Sequence, residues 1–123
     1  MMIKKDCILK GLLSLEGHIK SALNSYTEYI SSLSEVLEIY LFGSHVNGSP
    51  NEHSDIDLMV IVEDGLDPFK IAFKINKGLA ERKIPLDILV NKKSDFYSAA
   101  NENTFQRIIK NEGVLIYDAQ ISH

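Results

Sequence analysis

Cysteine is nearly absent from this chain: Cys7 is the only one. No internal disulfide can form, which fits a reducing compartment and points to the cytoplasm. Nothing near Cys7 would activate a thiolate, and it reads as a structural residue. Long apolar runs are missing too. The opening MMIKKDCILKGLLSLEG carries charges, an apolar stretch too short and interrupted to span a bilayer, and no small-residue cleavage site. Neither a membrane span nor a targeting signal is expected. Positive charge is not in excess: 13 Lys and Arg stand against 17 Asp and Glu, for a net charge of −4. Affinity for a phosphate backbone rests on clustered Lys and Arg, so nucleic acid is disfavoured as the main partner. A nucleotide is not excluded, because a metal can supply the positive charge. Repeats, low-complexity tracts and linkers are also lacking. The 123 residues, 45% hydrophobic and 24% charged, are expected to form a single domain.

What is present is periodicity. Leu9, Leu12, Leu13, Ile19, Leu23, Tyr26, Ile30 and Leu33 fall mostly three or four apart. This spacing predicts amphipathic helix over about residues 6–33, which Gly11 and Gly17 can split. VLEIYLF, residues 36–42, reads as a strand ending at Gly43. A short helical turn and a loop follow, broken at Pro50 and Asn51. IDLMVIV, residues 56–62, is almost wholly apolar, as for a central strand covered on both faces. Asp67 and Pro68 open a helix as N-cap and first residue. Phe69, Ala72, Phe73, Leu79 and Ala80 mark its apolar face, and Lys70, Lys74 and Lys77 another, solvated one. Gly78 within it costs about 1 kcal/mol relative to alanine. LDILV, residues 86–90, is a third strand. Asn103 with Gln106 resembles a capping box for a helix that runs to about Asn111 and stops at Gly113. VLIY, residues 114–117, closes the pattern as a fourth strand. Strands interleaved with helices predict a sheet covered by helices.

Three aspartates stand out. Asp55 and Asp57 are two residues apart, so on a strand they project from one face. Their repulsion raises one pKa unless a cation lies between them, and hard oxygen ligands favour Mg²⁺ or Mn²⁺. Asp87 lies inside the third apolar strand, where a lone carboxylate is costly to bury unpaired. Three aspartates around one point suit a pair of metals, which clamp the attacking and leaving oxygens of a phosphoryl or nucleotidyl displacement. Asp55 and Asp57 would hold metal; Asp87 would complete a metal site and accept a proton from an incoming hydroxyl. Gly43 and Ser44 supply the phosphate end. Glycine lets backbone approach closely, the following helical turn offers N–H groups, and Ser44 adds a hydroxyl. Each piece alone is weak, since a bare Asp-x-Asp can cap a helix or bind water.

The combination resembles the signature of the DNA polymerase β-like nucleotidyltransferase superfamily, and within it the minimal nucleotidyltransferase (MNT) domain. Gly43-Ser44 is followed by ten residues, His45 to Ser54, then Asp55-Ile56-Asp57. Gly48, Asp87 and the ending NEGVLIYD extend the likeness. The resemblance implies an α/β (α+β) fold, a mixed sheet flanked by helices. It implies one domain, with an N-terminal helical segment over about 6–34 and a catalytic core over about 35–118. It implies ATP or another nucleoside triphosphate, held by Gly43 and Ser44 with two Mg²⁺, and nucleotidyl transfer to a hydroxyl. Small members of this class pair with a HEPN-type toxin and act as antitoxins, some by transferring AMP to a tyrosine. A non-catalytic antitoxin that occludes its toxin, and a transferase acting on a small molecule such as an antibiotic, are the competing readings. Many relatives read Gly-Ser-Arg-Ala-Arg-Gly. Here His45 and Asn47 replace both arginines, so affinity for phosphates or partner is expected to be lower or different. With no second domain expected, the acceptor surface would come from a partner, a second copy or the helices.

The remaining polar residues read more plainly. His45 and His53 are expected to be solvent-exposed loop residues, with phosphate contact as the alternative. His18 reads as structural, and His123 as a disordered end. Lys92 and Lys93 follow the third strand and are expected near Asp87, better placed for substrate than the other lysines. Tyr26 and Tyr29 are expected to pack the first helix.

Overall fold

Strand patterning decides the sheet. The computed structural model describes residues 17–47, 55–82 and 84–120. The predicted helix over 6–16 with Cys7, the loop of Gly48, Pro50, Asn51, His53 and Ser54, and His123 lie outside them. The described elements are α1 (Gly17–Ser31), β1 (Val36–Phe42), α2 (Ser44–Asn47), β2 (Ile56–Val62), α3 (Pro68–Gly78), β3 (Leu86–Lys92), α4 (Lys93–Ala100), α5 (Phe105–Glu112) and β4 (Val114–Asp118). The strands form one mixed sheet in the order β3-β2-β1-β4. β1 runs antiparallel to β2 and β4, whereas β2 and β3 are parallel and joined through α3.

Both faces are covered, which is why β2 is nearly continuous in apolar residues. Ile56, Leu58, Val60 and Val62 face a core built with Ile19, Leu23, Tyr26 and Ile30 of α1 and Ile71 and Ile75 of α3. Met59 and Ile61 face the other way, against Tyr40, Phe96 of α4 and Ile109 of α5. The Phe96 ring stacks on Tyr40 at 5.5 Å. On that second side the Tyr97 hydroxyl donates to Glu38 Oε1 at 2.7 Å and lies 3.1 Å from the Tyr40 hydroxyl. Burial first, then these bonds, push the Tyr97 phenol well above its usual range.

Three expectations change. The face of α3 that packs on the sheet is Ile71 and Ile75, while Phe69 and Phe73 stand 85% and 69% exposed on the outside. Gly78 shows why. It follows Ile71 by seven residues and Ile75 by three, so it shares their face. A Cβ there would overlap the Tyr29 ring of α1, so the close approach of the two helices at this point requires glycine. The cap of α5 is Thr104, not Asn103: Thr104 Oγ1 accepts from Arg107 N at 3.3 Å and donates to Ala99 O at 2.6 Å, tying α5 to the end of α4. Helix α4 itself went unforeseen. Its first residues offer no side-chain cap. Asp64, thirty residues back, accepts from both Ser94 N and Ser94 Oγ at 3.0 Å.

Candidate active site

The parallel pairing of β2 with β3 and the antiparallel pairing with β1 bring three chain segments to one end of the sheet. Phe42, the last residue of β1, lies opposite Asp57, and Asp57 lies opposite Asp87. The turn after Phe42 needs glycine. Gly43 has φ of 85°, and a Cβ on it would fall inside the Asp57 carboxylate. The chain then winds into α2, closed by Val46 N donating to Gly43 O at 3.0 Å. Ser44 is the first residue of that turn, one residue beyond the glycine packed on Asp57.

Asp57 and Asp87 share the face of Met59, the side that α4 and α5 cover only in part. Asp55 lies just before β2, two residues from Asp57. Burial first, then the charges of Asp87 and Asp55, hold the Asp57 carboxyl above its ordinary range; His45 pulls the other way. Asp87 is exposed on this open face, not buried unpaired in the core as its apolar neighbours suggested. The alternation of β3 explains it: Leu86 and Ile88 enter the core while Asp87 and the 39% exposed Leu89 face outward. Among the described residues no three His, Cys, Asp or Glu side chains converge closely enough to hold a metal ion. The donor set still fits a divalent cation. Asp57 and Asp87 stand opposite each other on neighbouring strands, and carboxylate oxygens are the hard donors that Mg²⁺ takes.

His45 departs most from expectation. It is 5% exposed, turned inward by α2, where its charge acts on Asp57. Nothing local in the sequence signals this, because the four-residue turn that orients it is too short to show periodicity. Lys92 and Lys93 are not near Asp87. They lie at the other end of β3, five residues or about 16 Å along the strand. Lys92 instead lies 3.7 Å from the Asp95 carboxylate.

A cavity of about 500 Å³ lies on the opposite face between α1 and the end of α3. Two of its polar side chains, Tyr26 and Arg82, are bonded to backbone. The Tyr26 hydroxyl donates to Ile84 O at 2.5 Å and accepts from Ile84 N, and Arg82 donates to Leu79 O at 3.1 Å. This cavity lacks the paired carboxylates and the glycine turn that meet at the end of the sheet.

The family model described as "Polymerase beta, Nucleotidyltransferase" matches residues 24–122. The chain belongs to this family. The turn at Gly43 and the Asp57–Asp87 pair lie at one end of the sheet. Among solved structures, the nucleotidyltransferase domain is similar to a candidate nucleotidyltransferase from Sulfolobus solfataricus. The TM-score is 0.58 at 18% identity, over 90% of this chain and 96% of that one. This likeness establishes the shared mixed-sheet fold. A toxin–antitoxin structure with AMP-PNP is also similar, with TM-score 0.48 and 19% identity, over 84% of this chain and 76% of that one. No curated protein sequence matches this nucleotidyltransferase. No helix among its described residues is long and apolar enough to cross a membrane.

Proposed function

We propose that this nucleotidyltransferase transfers a nucleoside monophosphate, AMP from ATP, to a hydroxyl on a partner protein. The observation that carries the reading is the register of Asp57 with Asp87 beside a glycine packed on the Asp57 carboxylate. Gly43 keeps a side chain out of the space a phosphate would approach, and the Ser44 hydroxyl can donate to a phosphate oxygen. Asp55, Asp57 and Asp87 would hold divalent cations, Mg²⁺ or Mn²⁺. A bound cation would neutralise phosphate charge and polarise the phosphorus centre. Asp87, exposed at the edge strand, is open to an incoming hydroxyl and takes its proton. The acceptor oxygen forms a bond to the α-phosphorus, the bond from that phosphorus to the β-phosphate oxygen breaks, and pyrophosphate leaves.

A HEPN-type toxin as acceptor, with the chain as its antitoxin, rests on the motif resemblance. The test is label transfer. The protein is incubated with Mg²⁺, ATP labelled on the α-phosphate, and the protein encoded beside it, with Asp55→Asn/Asp57→Asn as control. Label on the partner that is lost in the control is the expected result. Absence of label while the two proteins still form a complex would overturn the catalytic reading in favour of occlusion. Label transferred equally by Asp87→Asn would overturn the role given to Asp87.

A further inference from the structure

A second, smaller cavity of about 180 Å³ opens beside the Gly43 turn, between it and α5. Phe42, Val46, Phe105 and Ile108 form its apolar walls, Gly43 lines one side, and among the described residues Glu112 is its only polar side chain. We propose that this cleft seats the base of the nucleoside triphosphate, with Phe105 as stacking face and Glu112 as the acceptor for an exocyclic amine. The inference rests on the nucleotide reading above and adds which part of the nucleotide goes where.

The cleft does not suit phosphate. Among the described residues its walls give no side-chain donor, and its one charge is a carboxylate that repels phosphate oxygens. It does suit a flat aromatic ring. Phe105 and Ile108 are 49% and 53% exposed on a helix whose inner residue Ile109 is buried. The Phe105 and Phe42 rings meet edge to face at 5.5 Å, which leaves ring surface open to stacking. The Thr104 cap fixes the first turn of α5 and with it the backbone that carries Phe105. Continuity with the phosphate end comes from Gly43, which lines this cleft and also packs on Asp57. A ligand whose phosphates lie at Gly43 and Ser44 therefore has an apolar cleft within reach. Glu112 accepts hydrogen bonds only, so it favours adenine, guanine and cytosine, whose exocyclic amine donates, over uracil, whose N3–H lies between two carbonyl oxygens that a carboxylate repels.

The experiment is equilibrium binding in Mg²⁺ of ATP, GTP, CTP, UTP and inorganic tripolyphosphate. The proteins are the wild type, Phe105→Ala, Phe105→Tyr and Glu112→Gln, each shown by melting to be folded. Stacking of a base on an aromatic residue is worth enough that Phe105→Ala should weaken ATP binding roughly five- to a hundredfold. Tripolyphosphate, which has no base, should change less than about twofold, and Phe105→Tyr should bind ATP like the wild type. UTP should bind the wild type more weakly than the other three, and Glu112→Gln should narrow that gap. Equal losses for ATP and tripolyphosphate in Phe105→Ala, or no loss for either, would overturn the proposal. So would a wild type that binds nucleotides no more tightly than tripolyphosphate, although the phosphate site would then stand. A wild type that binds neither would overturn the nucleotide reading itself, and the base cleft with it.

Discussion

At the scale of single residues, the site is a set of conflicts that ordinary packing would avoid. Gly43 adopts a left-handed conformation against a carboxylate, and Asp57 is half-buried between two like charges. Gly43→Ala would strain the turn by about 1–2 kcal/mol and displace the Asp57 side chain. The expected outcome is a folded protein, by melting, that no longer transfers label; unchanged transfer would show that the close approach has no role. Thr27 offers a contrast in the core. Its hydroxyl is buried without a hydrogen-bond partner among the described residues. An unsatisfied polar group costs about 1–3 kcal/mol and valine has nearly the same shape. Thr27→Val should therefore stabilise the protein by about 1 kcal/mol in urea denaturation, without altering nucleotide binding. Destabilisation would mean that the hydroxyl is satisfied after all.

At the scale of elements, the strands were legible and the helix faces less so. Each of VLEIYLF, IDLMVIV and LDILV is apolar enough to announce a strand, and β1 and β2 have the ends that the sequence predicts. Helix α3 also begins where Asp67 and Pro68 place it, with Asp67 Oδ1 accepting from Phe69 N at 2.9 Å. Its rotation was not legible, because phenylalanine and isoleucine stripes are equally apolar and packing on the sheet, with the contact of Gly78 and Tyr29, selects between them. Gly78→Ala should therefore reverse the usual rule. Helix propensity alone gives a gain of about 1 kcal/mol, but overlap with the Tyr29 ring costs about 1–3 kcal/mol. A net loss of stability is expected, relieved when Tyr29→Ala is added. A stabilised single variant would mean that Tyr29 moves aside freely. Caps obey the same logic of distant selection. Thr104 and Asn103 are both capping residues, and the bond to Ala99 O chooses Thr104. Thr104→Ala should cost about 1 kcal/mol, whereas Asn103→Ala should change stability by no more than about 0.5 kcal/mol. Equal effects would place the cap elsewhere.

At the scale of the whole molecule, the sheet brings together what the sequence keeps apart. Spacing alone put Asp55 and Asp57 on one side, but the register that sets Asp57 beside Asp87 comes from the parallel crossover through α3, and no local signal encodes it. That register has an electrostatic consequence for the entire fold. Asp57 has a folded pKa above its ordinary 3.8, so the folded state binds its proton more tightly than the unfolded one. Its contribution favours folding while it is protonated and is lost as pH rises from 3.8 through the raised folded value. Asp64 and Glu35 act with the opposite sign. Bonds from Ser94, and a backbone bond followed by Lys74, lower their pKa values. Their stabilisation is present above the ordinary carboxylate range and is lost as pH falls through the folded values, weakly because both are at the surface. Denaturation across pH separates the two. Without divalent ions, Asp57→Asn should match the wild type in acid and become the more stable protein as pH rises to neutrality. Adding Mg²⁺ at neutral pH should raise the wild-type midpoint through ligand linkage. It should do little in acid, where Asp57 is protonated, and little to Asp57→Asn at any pH. A wild type that is already the more stable of the pair without Mg²⁺ would mean that the carboxylate repulsion is relieved within the fold, leaving no electrostatic vacancy for a cation to fill.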